Sequence, residues 1–433
     1  MPQRTFTDVA CTVCGCVCDD LRVVVDGERI VEAVGACELA RPWFLGQSSQ
    51  VGSRPEIDGS PVEWDAAYDR AAAILKDSRA PLIYGLSRST TEGQRAAVAL
   101  ADFLGATIDT TASSGHAPSI VALQQVGEST CTLGEVKQRA DLVIFWGNDP
   151  VTTHPRHIER YCPPRSRAAV LVVDSEETAT AKQAEVFVRV PAEKNWDALW
   201  TLRMLVKGID CDASTELVDL AGRMKTCQFG VVFFGSGLTQ GRLAHRTIEA
   251  LLQLVTDLND HTDPETRRRF YARRMRRYGD VAGADSVLTW QTGYPFGVNF
   301  AAGYPRYNPG EFTAPELLAE RGVDAVVILG AETTRDLPPE ARATLRDLPV
   351  ILVDSPGGAR LSKDEGRRTD VFFPTAVYGI HRPGTAYRLD EVAIPLKVLM
   401  NTDCPSDAEV LTELHKRVNG EVTKGNPRSS ASL

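Results

Sequence analysis

The hydrophobic residues of this chain fall into short, almost wholly apolar runs that alternate with stretches of helical periodicity. Runs that are apolar at every position are typical of parallel strands buried on both faces, whereas apolar positions repeating every three to four residues indicate helices. The predicted strands are 81–86, 107–110, 142–146, 170–173, 230–234, 325–329 and 350–353, and the predicted helices are 65–76, 91–104 and 243–258. This order predicts an α/β fold with open, mostly parallel sheets and helices on both faces.

Small or acidic residues directly follow five of these predicted strands. They are Gly147-Asn148-Asp149, Asp174-Ser175, Gly235-Ser236-Gly237, Gly330-Ala331-Glu332 and Asp354-Ser355. Ligands of open α/β sheets collect at the carboxyl ends of strands, where loop amides and helix N-termini hold phosphate. The pattern therefore indicates a nucleotide-like ligand, with Gly147, Asn148, Asp174, Gly235 and Gly237 as cofactor-binding candidates. Turn formation and helix capping explain the same residue types, so both interpretations stay open.

Shifts in composition divide the chain into four predicted segments. A polar stretch at 48–59 contains Gly52, Pro55 and Gly59 and indicates a boundary. A second series of apolar runs begins near 230, and the chain becomes polar again from 419. We expect a small cysteine-rich cap at 1–58, α/β domains at 59–228 and 229–418, and a flexible tail at 419–433.

Length and charge exclude several classes of protein. A chain of 433 residues exceeds the usual size of one compact domain. The 48 basic and 57 acidic residues give a net charge of −9, which argues against a nucleic-acid partner. No apolar stretch approaches the ~20 residues needed to span a bilayer, and the N-terminus lacks an apolar signal core. The sequence thus predicts a cytoplasmic protein without a membrane partner.

The strongest chemical signal is a group of four early cysteines, Cys11, Cys14, Cys18 and Cys37. The first three share one short loop with the spacing Cys-x2-Cys-x3-Cys, and the fourth follows a strand-like segment. Such a set can hold a 4Fe-4S cluster. A four-cysteine zinc site is the alternative, although zinc sites more often repeat the Cys-x2-Cys knuckle, and plain buried thiols remain a third explanation. Cys16, inside the loop, is expected not to be a ligand.

Other polar residues leave alternatives open. Arginines crowd the segment 261–280 and indicate either a solvated helix face or a clamp for phosphate or carboxylate. His154 and His157 stand three residues apart, but Pro155 between them indicates a helix start and a structural role. The segment 293–310, rich in glycine, proline, tyrosine and asparagine, is expected to be an irregular loop.

Six stretches in the same order resemble the B subunit of formylmethanofuran dehydrogenase, in the molybdopterin oxidoreductase superfamily. The likeness runs over almost the whole chain. The stretches are CTVCGCVCDD at 11–20, DTTASSGHAP at 109–118, WGNDP at 146–150 with HPRH at 154–157, GYP at 293–295, GYPRYNPGE at 303–311 and GTAYR at 384–388.

The resemblance implies a fold, cofactors and site residues. The four cysteines would hold a 4Fe-4S cluster, and the α/β body would bind two molybdopterin or tungstopterin guanine dinucleotides around the metal, with pterin-site-like loops in 229–418. In the family this metal site reduces carbon dioxide to formate, which a separate amidohydrolase-like subunit condenses with methanofuran. His116 falls on the family's active-site histidine and Arg276 on its active-site arginine.

One position departs from the family pattern. The family carries a cysteine, the protein ligand to tungsten or molybdenum, immediately before the histidine, and this chain has Gly115 there. By this position the resemblance also makes Gly115 a cofactor-binding candidate. Glycine offers no soft anionic donor. Ser113 and Ser114 lie one or two places away, too far out of register for a ligand that needs tight placement.

The departure favours one of three functional hypotheses. It predicts a redox-degenerate B subunit like that of the bacterial formyltransferase/hydrolase complex, in which formyl groups pass to a methanofuran-like carrier and leave as formate. The expected partners are the amidohydrolase-like A, C and formyltransferase D subunits. The alternatives are an active tungsten or molybdenum bis-pterin subunit interconverting carbon dioxide and formate, and an assembly subunit with neither pterin nor cluster. A Rossmann-type enzyme is disfavoured because Gly-x-Gly-x-x-Gly is missing from its strand-to-helix context.

Overall fold

The computed structural model describes residues 3–49, 54–241, 243–260, 268–356 and 369–420. The chain forms two compact units, each assembled from three segments. Unit 1 consists of Met1–Ser48, Thr111–Gly283 and Thr385–Leu399, and unit 2 of Ser49–Thr110, Ala284–Gly384 and Met400–Leu433. These segments interleave, whereas the sequence predicts the consecutive ranges 1–58, 59–228 and 229–418. The predicted tail lies, from 421 onward, outside the described residues.

The elements alternate along the chain as the apolar pattern predicts. The strands are β1 Arg4–Val9, β2 Leu21–Asp26, β3 Arg29–Val34, β4 Glu56–Ile57, β5 Ser60–Pro61, β6 Pro81–Gly85, β7 Thr107–Thr110, β8 Leu142–Trp146, β9 Ala169–Asp174, β10 Val186–Arg189, β11 Phe229–Phe234, β12 Arg269–Arg274, β13 Val298–Asn299, β14 Arg306–Tyr307, β15 Ala325–Leu329, β16 Val350–Asp354, β17 Val371–Pro374, β18 Gly384–Tyr387 and β19 Ala393–Leu396.

The helices connect these strands. They are α1 Ala40–Leu45, α2 Trp64–Asp77, α3 Thr91–Leu104, α4 Ala112–Gly115, α5 Ala117–Val126, α6 Leu133–Arg139, α7 Pro150–Thr153, α8 His157–Tyr161, α9 Asn195–Val206, α10 Thr215–Thr226, α11 Ala244–Asn259, α12 Val281–Thr292, α13 Ala314–Ala319, α14 Pro339–Thr344 and α15 Asp407–Val418. Short 3-10 helices cover Ala181–Gln183, Ala192–Lys194 and Ala331–Asp336. Every strand and helix predicted from the apolar pattern is confirmed, with its ends displaced by at most one residue.

Unit 1 contains a five-stranded parallel sheet in the order β10-β9-β8-β11-β12. One face, with Ile144 and Trp146, packs in a core with Leu199 of α9 and Leu251 of α11. On the other face the ring of Phe233 lies 4.7 Å from that of His157, the first residue of α8. Helices therefore cover both faces. A separate antiparallel sheet, β1-β2-β3, carries the N-terminal cysteines.

The strand order of this sheet explains why the predicted boundary near 228 is not where the contacts divide. β8 and β11 lie on either side of residue 228 in the sequence, yet they pair directly, with Trp146 opposite Phe234. Apolar runs in the sequence show where strands lie along the chain, but they do not show which strands pair. The chain runs from β8 outward to β10, then returns to lay β11 against the other edge of β8. A topological switch point, where such sheets bind ligands, therefore lies between β8 and β11.

Unit 2 contains a sheet with a parallel centre, β7-β6-β15-β16-β17. The short strands β13-β14 and β4-β5 extend it in antiparallel pairing. Alternate residues of the central strands face two cores: Ile83 and Val327 share one with α3 and α15, and Leu82 and Ile328 share the other with α13 and α14. Strands buried on both faces read as unbroken apolar runs, which is why they were predictable.

The arginine-rich segment differs from its predicted form. Among its described residues, Arg269–Arg274 form the strand β12 rather than a solvated helix face, and Phe270 and Ala272 of this strand are buried in the core. The last two residues of the strand are arginines, and their side chains are buried as well. The physical reason is that apolar residues alternate along this segment, which favours a strand. Ion pairs offset the cost of burying the arginine charges. Residues 261–267 of the segment lie outside the described residues.

Among the residues that the structure describes, no helix combines the length and apolar character that crossing a membrane requires.

Candidate functional site

The cysteine loop connects β1 to β2 in unit 1. It is closed by a hydrogen bond of 2.8 Å from the Cys11 amide to the Cys18 carbonyl, and tightened by one from Val17 to Cys14. Cys37 follows β3, and its carbonyl accepts from the first turn of α1. The cysteines Cys11, Cys14, Cys16, Cys18 and Cys37 line one small cavity together with Pro155 and Arg156. The structure thus brings together the four thiols predicted as metal ligands and adds Cys16.

The thiols of this cavity suppress one another's ionisation. Burial raises the pKa of Cys11 well above its usual value, and the neighbouring Cys14, Cys18 and Cys37 raise it further. Burial also raises the pKa of Cys37. The pKa of Cys16 is raised first by hydrogen bonds to Cys14 and Cys18 and then by burial. A group of buried thiolates is stable only beside a strong positive charge, which a bound metal supplies.

The thiols do not close on a single point. In the described part of the chain, no three histidine, cysteine, aspartate or glutamate side chains are arranged to hold one metal ion as they stand. A four-iron cluster has a different requirement, because each of its four cysteines binds a separate iron.

The helix α8 and the residue before it hold the cysteine loop on one side. Arg156 donates two parallel hydrogen bonds to the Asp20 carboxylate, at 2.7 and 2.8 Å, and Arg160 donates one of 2.6 Å to Asp19. The Tyr161 hydroxyl donates to the Cys16 carbonyl at 3.0 Å. Burial of Asp20 acts to raise its pKa, but the two arginines outweigh burial and hold that pKa below its usual value. Charge-assisted, bidentate contacts of this kind fix orientation as well as distance.

Leu389 and the backbone of Arg276 hold the loop on the other side. Leu389 donates its amide to the Gly15 carbonyl at 2.8 Å. A side chain at Gly15 would overlap the carbonyl oxygen of Arg276. His154 lies beneath the same carbonyl and contacts it through Nε2 at 2.7 Å. The loop therefore packs directly on backbone here, and only glycine fits at position 15.

Both buried histidines have contacts of a structural kind. Burial lowers the pKa of His154 to about 4 and that of His157 to about 3. Both rings are consequently neutral at physiological pH, and His154 donates from Nε2 to the Arg276 carbonyl. These contacts agree with the structural role that Pro155 indicates in the sequence.

A pocket of about 610 Å³ opens at the switch point of the unit 1 sheet. It is lined by the loops after β8, β9 and β11 and by the start of α9. The lining residues are Trp146, Gly147, Asn148, Asp149, Thr153, Asp174, Ser175, Ala192, Glu193, Asn195, Ser236, Gly237, Gln240, Gly241 and Arg277. Of the predicted cofactor-binding residues, Gly147, Asn148, Asp174 and Gly237 lie in this lining.

The glycines of the pocket are required by contact between the two loops that flank the switch point. Gly147 has a φ of +60°, and a Cβ on Gly237 would lie 2.7 Å from the Gly147 Cα. The Gly237 amide donates to the Gly147 carbonyl at 2.8 Å. Gly235 lies behind the pocket wall, where a side chain would overlap that of Asn148. The glycines therefore shape the pocket whether or not they also contact a ligand.

Three carboxylates and one arginine set the polar character of the described lining. Burial opposes ionisation of Asp149, but hydrogen bonds from Thr152 and Thr180 outweigh it and lower the pKa. Burial raises the pKa of Asp174 at the end of β9. Glu193 adds a third carboxylate and Arg277 a cation. Carboxylates suit the N–H groups of a heterocyclic base, whereas Arg277 and loop amides suit phosphate.

The sequence analysis did not identify some of the residues that line the pocket. Asn195 begins α9 and accepts a hydrogen bond of 2.8 Å from the Trp146 indole across 49 residues of sequence. Arg277 was one of many arginines in its segment, and nothing in the sequence distinguished it from its neighbours. Both residues lie in the pocket because of the way the strands pair, which the sequence does not show.

Gly115 ends the short helix α4 beside this pocket. Its carbonyl accepts a hydrogen bond of 2.9 Å from Thr239, the neighbour of the pocket residue Gln240. A Cβ built on Gly115 meets no atom of the described structure within 4 Å. The backbone there is therefore compatible with a side chain, and the fold does not require glycine.

The two predicted catalytic residues contact different partners. His116 lies between α4 and α5, where its carbonyl accepts from the Ser119 hydroxyl at 2.7 Å. Arg276 is buried and donates to Glu391 at 2.8 Å and to the Leu389 carbonyl at 3.0 Å. Burial opposes ionisation of Glu391, yet Arg276 and Arg273 lower its pKa to about 2. The catalytic roles of His116 and Arg276 stay predictions.

Comparison with solved structures defines the class of fold. The formyltransferase/hydrolase complex from Methylorubrum extorquens, solved with methylofuran, includes a chain with a TM-score of 0.71 and 24% identity, covering 85% of this chain and 99% of that one. Acetylene hydratase from Pelobacter acetylenicus gives a TM-score of 0.60 at 13% identity, covering 95% and 69%. The predicted molybdopterin-oxidoreductase-type α/β fold is confirmed.

Sequence comparison then gives the family. The B subunit of the tungsten-containing formylmethanofuran dehydrogenase 2 of Methanocaldococcus jannaschii is 35% identical over 96% of this chain and 99% of its own. Its counterpart in Methanococcus maripaludis is 33% identical over the same shares. The B subunit of the M. extorquens formyltransferase/hydrolase complex Fhc is 27% identical over 64% of this chain and 74% of its own. A scan against family models finds no match. The chain belongs to the family of formylmethanofuran dehydrogenase B subunits.

The packing of Gly15 generates a test of how the cysteine loop is held. We expect Gly15→Ala to destabilise the protein by about 1–3 kcal/mol, because the methyl group overpacks a backbone contact. Alkylation of the loop thiols in metal-free protein should also become faster. The matched control is Gly222→Ala on the exposed face of α10, where a Cβ meets nothing within 4 Å and a gain of about 0.5–1 kcal/mol is expected. Equal free energies of unfolding for the two variants, measured in denaturant, would contradict the close contact between Gly15 and the Arg276 carbonyl.

The Glu391 ion pairs generate a pH prediction. The folded pKa of about 2 lies below the ordinary value of 4.5, so the stabilisation is complete above pH 4.5 and is lost as pH falls toward 2. We expect Glu391→Gln to cost about 1 kcal/mol at pH 7 after allowance for screening, because the carboxylate is 42% exposed. The difference in unfolding free energy between Glu391→Gln and the wild type should become smaller as the pH of the measurement is lowered. The exposed Glu32→Gln should have almost no effect, and a Glu391→Gln deficit independent of pH would count against the ion pairs.

Proposed function

We propose that this chain is the B subunit of a formylmethanofuran dehydrogenase-type complex in one-carbon metabolism, in a form that has lost its own redox catalysis. The observation that carries the proposal is Gly115. The position next to the predicted catalytic histidine has open space for a side chain but no donor atom, and tungsten or molybdenum requires a soft anionic ligand there.

The family relationships support assembly with other subunits. The relative in M. extorquens is the B subunit of a formyltransferase/hydrolase complex. By that likeness the partners of this chain are the amidohydrolase-like A subunit, the C subunit and the formyltransferase D subunit. The formyl chemistry then takes place on those partners, and this chain serves as an organising subunit.

We infer that Cys11, Cys14, Cys18 and Cys37 hold a 4Fe-4S cluster. The donor set fits, because four thiols line one small cavity, where burial and the neighbouring thiols raise the pKa of Cys11 in the absence of a counter-charge. When bound, the cluster supplies one-electron redox chemistry or cross-links the loop as a structural element. The arginine pairs on Asp19 and Asp20 keep the loop in place around it.

The pocket at the switch point supports a nucleotide-type ligand, the guanine dinucleotide part of a pterin cofactor. Asp174 in the lining would accept hydrogen bonds from N–H groups of the base. Arg277 would hold phosphate, beside the Ser236 hydroxyl of the same lining. The residues at position 115 do not fit a bound tungsten or molybdenum, so we derive no step through that metal.

An active tungsten subunit is the second candidate. Two relatives, at 35% and 33% identity over almost the whole length, are B subunits of tungsten-containing enzymes, but position 115 of this chain offers no donor to the metal. Metal content separates the candidates, because only this one needs a heavy metal.

Elemental analysis of the anaerobically purified complex tests the proposal. We expect about four iron atoms per copy of this chain, an electron paramagnetic resonance signal of a reduced cluster, and neither tungsten nor molybdenum. Stoichiometric heavy metal would overturn the proposal in favour of the active form. Absence of both iron and heavy metal would leave a purely structural role and refute the cluster.

Substitution at Gly115 tests whether the missing donor is a functional feature or a requirement of the fold. We expect Gly115→Ala and Gly115→Cys to change the free energy of unfolding by less than about 0.5 kcal/mol, because the Cβ points into open space. The Gly115→Cys thiol should react with iodoacetamide in the folded protein. As a control, Gly237→Ala, which meets the Gly147 backbone, should destabilise by about 1–3 kcal/mol. A comparable loss in Gly115→Ala would mean that packing dictates this glycine.

A further inference from the structure

Arg277 is the one cation among the described residues that line the switch-point pocket. It shares this lining with the carboxylates of Asp149, Asp174 and Glu193. Because phosphate is an anion, the carboxylates oppose its binding and the guanidinium favours it. The position of the Arg277 side chain therefore decides whether the pocket can hold a phosphorylated ligand.

The backbone on both sides of Arg277 packs on the cysteine loop. Arg276 is buried, whereas Arg277 is exposed. The Arg276 carbonyl lies against Gly15 and leaves no room there for a side chain. On the other side, Tyr278 forms an antiparallel bridge with Cys14. The Arg277 side chain thus extends from a backbone that is held at both of its neighbours.

His154 holds the peptide bond that joins Arg276 to Arg277. Its Nε2 atom donates a hydrogen bond of 2.7 Å to the Arg276 carbonyl, and only 1% of the residue's surface is exposed. The ring is neutral and carries its single hydrogen on Nε2, so Nδ1 is an acceptor. The Thr153 hydroxyl lies 2.9 Å from Nδ1, and Thr153 lines the pocket. His154 therefore connects the wall of the pocket to the backbone of Arg277.

The hydrogen bond from His154 has a different effect from the other contacts of Arg276. The Arg276 guanidinium donates to the Leu389 carbonyl at 3.0 Å, and the Leu389 amide donates to the Gly15 carbonyl at 2.8 Å. Those contacts hold the residue against the loop. The His154 contact fixes the direction of the carbonyl itself. Since a peptide unit is planar, it also fixes the direction in which the chain enters Arg277.

We propose that His154 is a positioning residue of the pocket, which holds the Arg276 carbonyl and thereby places the Arg277 guanidinium where it binds a phosphate group of the ligand. This inference rests on the nucleotide-type ligand of the proposed function. His154 is not among the described lining residues and acts through Arg277. Its loss should therefore weaken the binding of phosphate and leave the binding of the base unchanged.

The experiment compares the affinities of the intact complex for guanosine diphosphate (GDP) and for guanosine by isothermal titration calorimetry. The complex is produced in cells that make no pterin cofactor, so that the pocket is free. We expect His154→Leu to weaken GDP binding by about tenfold, the effect of impairing one charge-assisted contact, and to leave guanosine binding unchanged. His154→Gln should restore most of the affinity for GDP, because its amide can donate to the same carbonyl.

A second pair of variants tests whether His154 acts through Arg277. Arg277→Gln should weaken GDP binding at least as much as His154→Leu does. Adding His154→Leu to Arg277→Gln should cause no further loss, because both changes remove the same contact. The matched control is Arg269→Gln at the exposed start of β12, whose affinity for GDP should equal that of the wild type.

The outcomes separate this inference from the ligand on which it rests. Unchanged GDP binding in His154→Leu, or additive losses in the double variant, would overturn the role of His154 and leave the pocket assignment intact. Loss of guanosine binding in His154→Leu would also overturn it, because the role would then be structural. A wild-type complex that binds GDP no more tightly than guanosine would refute phosphate binding by Arg277. Binding of neither compound would refute the nucleotide-type ligand, and with it this inference.

Discussion

The burial of several thiols in one small cavity is the constraint on which the rest of unit 1 depends. Thiolates that share a cavity repel one another, and burial makes that repulsion stronger than it is in water. The sequence around them meets this constraint with backbone hydrogen bonds across the loop and with ion pairs from Arg156 and Arg160. These contacts hold the loop in a shape that keeps the thiols together, and a bound cluster would provide the missing positive charge.

The same elements that hold the cysteine loop also border the nucleotide-type pocket. Thr153 lines the pocket, and its neighbour His154 supports the Arg276 carbonyl under Gly15. Arg277 then turns into the pocket. The loop and the pocket are thus two sides of one packed layer within unit 1, made from the segments 153–157 and 275–279. A change in either segment is therefore expected to affect both the loop and the pocket.

Much of the fold was predictable from the sequence, because buried parallel strands such as β8 and β15 are apolar at every position. The ligand cysteines were predictable because three of them share one loop. Strand pairing was not: nothing in 142–146 indicates that it lies beside 229–234. Nor did spacing show that Cys16 lines the same cavity as Cys14 and Cys18, or that the Arg276 carbonyl packs against the loop. Contacts of this kind join residues far apart in sequence, and composition does not encode them.

The central claim is that the buried thiols of 11–37 hold an iron-sulfur cluster while position 115 supplies no ligand to a heavy metal. X-ray absorption at the iron, zinc, tungsten and molybdenum edges of the intact complex tests both parts directly. The account predicts iron in a sulfur environment with neighbouring iron atoms, and no tungsten or molybdenum. Zinc surrounded by four sulfurs, or tungsten or molybdenum bound by sulfur, would contradict it.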